Sequence, residues 1–164
     1  MTLEEIVVST NRRIWDAYPE LPLWQVDQAG VPVLYFPIPP DSDYRYCAWF
    51  ESCSRLSIEA DPTSIMDLSK RLDFWHHPFK LEEFTSTEEL VQAFQAELIM
   101  VLSHKTRITQ YKRPGKYEFV CEALLDDWIL VYQVQYDRHG FNVPRLSSRS
   151  HVYYASPTSD VRRP

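Results

Sequence analysis

Glycine is scarce in this chain. It occurs three times in 164 residues, at Gly30, Gly115 and Gly140, and each time between two extended runs. These are positions where a turn needs a positive φ, which glycine adopts without steric cost. An average chain has about 7% glycine, and this chain has no glycine-rich loop that could cradle a phosphate or a dinucleotide. The scarcity therefore excludes the nucleotide-using enzymes that depend on such a loop.

The spacing of apolar residues predicts a single α+β domain over residues 1–155, followed by a flexible tail over residues 156–164. Thr2 and Glu5 form a capping box that opens an N-terminal helix ending before Pro19. Two central helices are expected, one starting at Asp61-Pro62 and one at the overlapping capping boxes of residues 85–89. We expect all three helices to pack on one face of a mainly antiparallel sheet.

Period-two alternation predicts about six to eight strands in that sheet. The predicted strands are residues 24–27, 31–36, 44–51, 55–59, 107–111, 117–125 and 128–137, with an edge strand at 150–155. In the second strand, residues 33–36 are apolar on both faces, which predicts cover on both sides. Residues 74–79 are predicted to be irregular. In the last long strand, strict alternation would place Trp128, Leu130, Tyr132, Val134 and Tyr136 on one face.

The net charge of −6 conceals two unlike halves. Residues 1–104 have a net charge of −10, and residues 105–164 have a net charge of +4. An acidic total disfavours general nucleic-acid binding, which needs cations to neutralise phosphates. No apolar run exceeds five residues and the N-terminus is acidic, so we expect no membrane span, no leader peptide and a cytoplasmic location.

Few residues carry the marks of catalysis or metal binding. The five histidines form no His-x-x-x-His pair, and the three cysteines form no Cys-x-x-Cys pair, so we expect neither a metal nor another cofactor. There is no Gly-x-Ser-x-Gly elbow. Cys47 and Cys121 fall among apolar strand residues, as inert core thiols do, and Cys53 lies at an expected turn.

The leading hypothesis is a small acidic domain that binds another protein, as an inhibitor, a toxin-immunity protein or a chaperone-like adaptor. Aromatic residues close to charge are typical of interface centres, and a basic toxin or effector would suit the acidic half of the chain. Plugging the ends of the sheet is the competing interpretation of these rings. The residues assigned to partner binding are Asp41, Asp43, Tyr44, Tyr46, Trp75, His76 and Phe79.

Two other functions remain open. The first is a ligand-binding or enzymatic pocket formed by the C-terminal meander, with Glu122 or His139 supplying the chemistry. A solvent-facing position is the competing interpretation of Glu122. The residues assigned to this pocket are Tyr117, Phe119, Glu122, Tyr132, Val134, Tyr136 and His139. The second is nucleic-acid binding by the basic run at residues 105–116, which we rank last. Oligomeric state is not predicted.

Overall fold

Two antiparallel sheets and two α-helices make up the described structure, a computed structural model that describes residues 1–19, 21, 24–39, 41–62, 75–113, 116–137 and 150–158. A 3-10 turn, Leu81–Glu83, precedes the second α-helix. The elements in chain order are α1 (Leu3–Ala17), β1 (Trp24–Gln28), β2 (Val31–Tyr35), β3 (Tyr44–Ser52), β4 (Arg55–Pro62), β5 (His76–Lys80), α2 (Thr87–Ser103), β6 (Thr106–Arg113), β7 (Lys116–Leu124), β8 (Trp128–Asp137) and β9 (Ser150–Ala155). The predicted α+β class is confirmed.

The first sheet has the strand order β1-β2-β3-β4-β5, and the second has the order β8-β7-β6-β9. Gly30 closes the β1–β2 hairpin at φ +85°, beside Ala29 at φ +55°. Two successive positive φ values match the right-handed twist of the flanking strands. The Gly30 N–H also donates to Asp27 Oδ1 at 2.6 Å. The other two glycines lie outside the described residues.

Both α-helices begin at the caps that the sequence predicts. The Thr2 hydroxyl accepts from the Glu5 N–H at 3.2 Å, and the Glu5 carboxylate accepts from the Thr2 N–H at 2.6 Å. At α2, Ser86 Oγ accepts from the Glu89 N–H at 3.1 Å. These bonds satisfy backbone donors that have no partner inside a helix.

The core lies between the helices and the inner faces of the two sheets. α1 and α2 contact each other, and both contact the five-stranded sheet. Neighbouring residues Val33 and Leu34 of β2 are both buried, which confirms that this strand is covered on both sides. The second sheet contributes Ile108 and Phe119 to the same apolar cluster.

Of the three predictions for residues 61–79, two are wrong and one falls on residues that the structure does not describe. Asp61 and Pro62 end β4, so the helix start predicted there is wrong. The Asp61 carboxylate, expected as a helix cap, instead accepts from Arg45 of β3 at 2.9 and 3.1 Å. Residues 63–74, where the rest of that helix was predicted, lie outside the described residues. The irregular segment predicted around residues 74–79 is also wrong from residue 76 onward, because His76–Lys80 pairs with β4.

A bulge in β8 changes which side chains share a face. Cys121 is paired with Tyr132, whereas the next residue of β7, Glu122, is paired with Leu130. Val131 is therefore an extra residue, and an extra residue moves the side chains beyond it to the other face of the sheet. The predicted single face is wrong: Tyr132 points inward with buried Cys121, and Leu130 points outward with Glu122.

The end of the described chain contacts the loop that precedes β3. The Ser156 N–H donates to Ser42 Oγ at 3.0 Å, and Thr158 is buried. Residues 159–164, the rest of the predicted tail, lie outside the described residues.

Candidate protein-binding face

The outer face of the four-stranded sheet is directed away from the core. Its strands alternate: Ile108, Phe119 and Cys121 are buried on the inner side, while Arg107 and Glu122, one residue on from Ile108 and Cys121, lie on the outer side. We call the outer side the open face. Its central residues are Lys105, Arg107, Tyr111, Trp128, Leu130, Val152 and Tyr154.

Arg107 lies at the centre of the open face. Its guanidinium donates to both carboxylate oxygens of Glu122, at 2.7 and 3.1 Å, and lies 4.2 Å from the centroid of the Trp128 ring. These hydrogen bonds, donated to Glu122, raise the pKa of Arg107 above its ordinary value. Two independent contacts therefore hold this cation in one orientation.

The rings beside Arg107 form a connected group. The Trp128 and Tyr154 rings lie 6.4 Å apart, centroid to centroid. The Lys105 ammonium lies 5.4 Å from the Tyr154 centroid. In the part of the chain that the structure describes, Lys105 has no carboxylate within ion-pairing distance. The group therefore combines fixed rings with a cation whose charge is not neutralised.

Apolar side chains surround this group. Leu130 is 60% exposed, Val152 42%, Tyr154 40% and Tyr111 39%. Among the described side chains of this face, the remaining acid, Glu118, is buried and accepts hydrogen bonds from Gln133 and Gln135. Exposed apolar area around a fixed Arg and Trp is typical of the centre of a protein interface.

A second group of polar side chains joins three elements. His77 Nδ1 of β5 lies 2.5 Å from Glu97 Oε1 of α2, and the His77 ring stacks on Tyr132 of β8 with centroids 3.6 Å apart. Trp75 Nε1 donates to the Tyr132 carbonyl at 3.2 Å. His77 and Glu97 are both largely buried, so this group ties α2 and the two sheets together. The sequence analysis did not single out Glu97, because its partner is distant in the chain.

The residues predicted to bind a partner are mostly structural. Tyr44, Tyr46, Trp75 and Phe79 are buried in the core, so their expected exposure to a partner is wrong. The hydroxyls of Tyr44 and Tyr46 contact Thr106 Oγ1 of the other sheet at 2.7 and 2.9 Å. Such bonded phenols hold two sheets together and cannot anchor a partner.

The two aspartates and His76 are closer to the surface. Asp41 is exposed and has a positive φ of 54°. Asp43 binds β9: its N–H donates to the Tyr154 carbonyl at 2.8 Å, and its carboxylate accepts from the Tyr154 N–H at 2.8 Å. His76 is half-buried on the outer face of β5, opposite Glu59. The predicted set is therefore not one continuous surface.

The predicted pocket is not assembled from its residues. Phe119 is buried, and Tyr132 and Val134 pack against the core from the inner face. Glu122 lies on the opposite face, paired with Arg107, so it is not in an apolar pocket, and its position agrees with the competing interpretation of a residue on the outer face. The backbones of Tyr117 and Tyr136 lie in β7 and β8, but their side chains, and the whole of His139, lie outside the described residues.

The described titratable groups add little catalytic chemistry. Burial raises the pKa of the Cys47 and Cys121 thiols, which makes both poor nucleophiles. Within the described residues, no three side chains of the metal-binding types come together as a metal site would require. None of the described helices has the length and apolar character needed to cross a membrane.

Comparison with known proteins gives no relative. No protein-family model matches the chain, and no curated protein or solved structure matches it either. Function must therefore be inferred from the faces described above.

Proposed function

We propose that this chain is a protein-binding domain and that its open face is the contact surface. The observation that carries the proposal is the fixed position of Arg107. An ion pair with Glu122 and a cation–π contact with Trp128 hold its guanidinium among exposed apolar side chains. Fixed anchors lose little entropy on binding, so more of the contact energy appears as affinity. The inhibitor, immunity and adaptor roles expected from the sequence all require such a face.

The charges of the open face indicate the partner's chemistry. Glu122 is neutralised by Arg107, and Glu118 is buried against two amides, which leaves Lys105 as an uncompensated cation among the described residues of this face. An apolar surface with acidic residues at its rim would complement it. The basic partner expected from the overall charge would have to bind through another part of the chain.

The same contacts favour a protein over a nucleic acid. Single-stranded nucleic acids bind by stacking bases on free aromatic faces and placing phosphates on free cations. Here Arg107 already covers the Trp128 ring and is held by Glu122, and Lys105 lies over Tyr154. Each cation would have to leave its ring before a base could stack on that side.

The test compares two substitutions of matched chemistry. Leu130→Asp places a carboxylate on the open face, and Ile38→Asp places one at a similarly exposed position (50%) between β2 and β3. Native lysate is passed over the wild type and both variants, and bound proteins are quantified by mass spectrometry. A direct partner, purified and titrated by calorimetry, should bind Leu130→Asp about 30-fold more weakly or worse, as expected for an interface anchor.

The Ile38→Asp variant should retain wild-type affinity, and the affinity should fall with rising salt. If Leu130→Asp and Ile38→Asp bind the same proteins equally well, the open face is not the contact surface and the proposal is refuted. Tight, salt-sensitive binding of a single-stranded oligonucleotide would replace the proposal with the nucleic-acid function.

A further inference from the structure

The outer side of α1 presents apolar residues where a solvent-exposed helix normally carries polar ones. Val8 and Trp15 are 60% and 53% exposed. Their spacing of seven residues places them on one line along the helix. We call Val8 and Trp15, with the charged residues beside them, the outer stripe.

The outer stripe lies opposite the side by which α1 is packed. The buried residues of α1 are Ile6, Val7, Thr10 and Ile14. At 100° per residue, the direction of Val8 is roughly 150° around the helix from the centre of that buried set. Val8 is therefore directed away from the side of α1 that packs against α2 and the core.

Charge is distributed along the outer stripe in a self-complementary way. Glu5 and Arg12 are also seven residues apart, on the same side of the line through Val8 and Trp15, and both are exposed. Their midpoint along the helix falls next to Val8. A two-fold axis at that point, perpendicular to the helix, places a second copy antiparallel to the first. Glu5 of each copy then lies opposite Arg12 of the other, which gives two equivalent contacts.

We propose that the outer stripe pairs antiparallel with the outer stripe of a second copy of this chain, about a two-fold axis next to Val8. Val8 then packs near its own equivalent, and Trp15 covers the first turn of the other helix. A single helix–helix contact is smaller than the roughly 800 Å² per partner of a standard interface. The dimer is therefore weak and depends on concentration.

Glu5 remains available for this contact although it caps α1. The Thr2 N–H occupies only its Oε2 oxygen, which leaves Oε1 for an arginine. That hydrogen bond also lowers the pKa of Glu5 below its ordinary value, so the carboxylate is charged at neutral pH. Arg12 contributes the opposite charge.

Sedimentation equilibrium from about 10 to 500 µM protein, the range in which weak complexes of this size dissociate, tests the proposal. The wild type should show a monomer–dimer equilibrium. Val8→Asp and Arg12→Glu should each weaken it about tenfold or more, because each change occurs twice in a symmetric interface. Arg13→Glu is the matched control: it makes the same charge change about 100° away around the helix and should leave the equilibrium unchanged.

Mixing two single variants provides the decisive measurement. Glu5→Lys alone, like Arg12→Glu alone, should dimerise about tenfold more weakly than the wild type or worse, since like charges then face each other in its homodimer. An equimolar mixture of the two should form a heterodimer, in which both contacts again join opposite charges. Thermal melts confirm that each variant is folded. A strictly monomeric wild type, unaltered dimerisation of Val8→Asp, or a mixture that stays monomeric would each overturn the proposal.

Discussion

The bonds of Thr106 between the two sheets allow a prediction of stability with a calculable size. Thr106 Oγ1 contacts the Tyr44 hydroxyl at 2.7 Å and the Tyr46 hydroxyl at 2.9 Å, and all three residues are buried. Thr106→Val keeps the shape of the side chain and removes both bonds. At about 1 kcal/mol for each bond, the free energy of unfolding should fall by about 2 kcal/mol.

The loss rises to about 4 kcal/mol if a phenol is left without a compensating bond, because a buried unsatisfied hydroxyl costs about 1–3 kcal/mol. Urea unfolding followed by tryptophan fluorescence measures this change, and a loss of about 2 kcal/mol should lower Tm by about 4–8 °C. Thr109→Val, three residues along the same strand, is the control. Thr109 is buried but has no hydrogen bond among the described residues.

Tyr46→Phe removes one of the same bonds from the other side. A double-mutant cycle with Thr106→Val should therefore give a coupling energy of about 1 kcal/mol. If Thr106→Val and Thr109→Val differ by less than about 0.5 kcal/mol, the two hydroxyl bonds do not stabilise the junction of the sheets, and the argument fails.

Three further changes follow from the described contacts. Burial raises the pKa of the Cys47 and Cys121 thiols, so both stay protonated in the folded state while they ionise in the unfolded state above about pH 8.5. Urea unfolding from pH 7 to 10 should therefore show stability that is constant below that pH and then falls by about 1.4 kcal/mol per pH unit for each thiol. Ser86→Ala removes the acceptor for the Glu89 N–H, and circular dichroism melts should show a loss of about 1 kcal/mol. Deleting Val131 removes the extra residue while Leu130 stays opposite Glu122 and Tyr132 stays opposite Cys121, so calorimetry should show that the deletion, like Val131→Ala, retains partner binding.

Most of the fold could be predicted because its signals are local. A capping box needs only Thr2 and Glu5, and a hairpin turn needs only the residues around Gly30, so these boundaries follow from neighbouring side chains. The helix start predicted at Asp61-Pro62 is wrong, because both residues end β4 and a distant cation, Arg45, binds the expected cap. A local pattern cannot show that a side chain is already used elsewhere.

The candidate face could not be predicted for the same kind of reason. Strict alternation grouped Leu130 with inward-facing Tyr132, and only the pairing with β7 reveals the extra Val131. Tyr44 and Tyr46 were assigned to partner binding because a tyrosine combines a large apolar ring with a polar hydroxyl. Their hydroxyls are satisfied by Thr106, about 60 residues along the chain.

The two proposed contacts can be separated by one prediction, because the outer stripe lies on α1 and the open face lies on the second sheet, with no residue in common. Val8→Asp should leave the affinity for a monovalent partner in solution unchanged within about twofold, since each open face is intact. On a surface densely coated with that partner, the same variant should bind at least tenfold more weakly, because a dimer engages two partners at once and a monomer engages one. Leu130→Asp should instead bind the partner weakly both in solution and on the surface, and its monomer–dimer equilibrium should be that of the wild type. If Val8→Asp weakens monovalent binding as much as surface binding, the outer stripe is part of the partner contact, and the two faces are not independent.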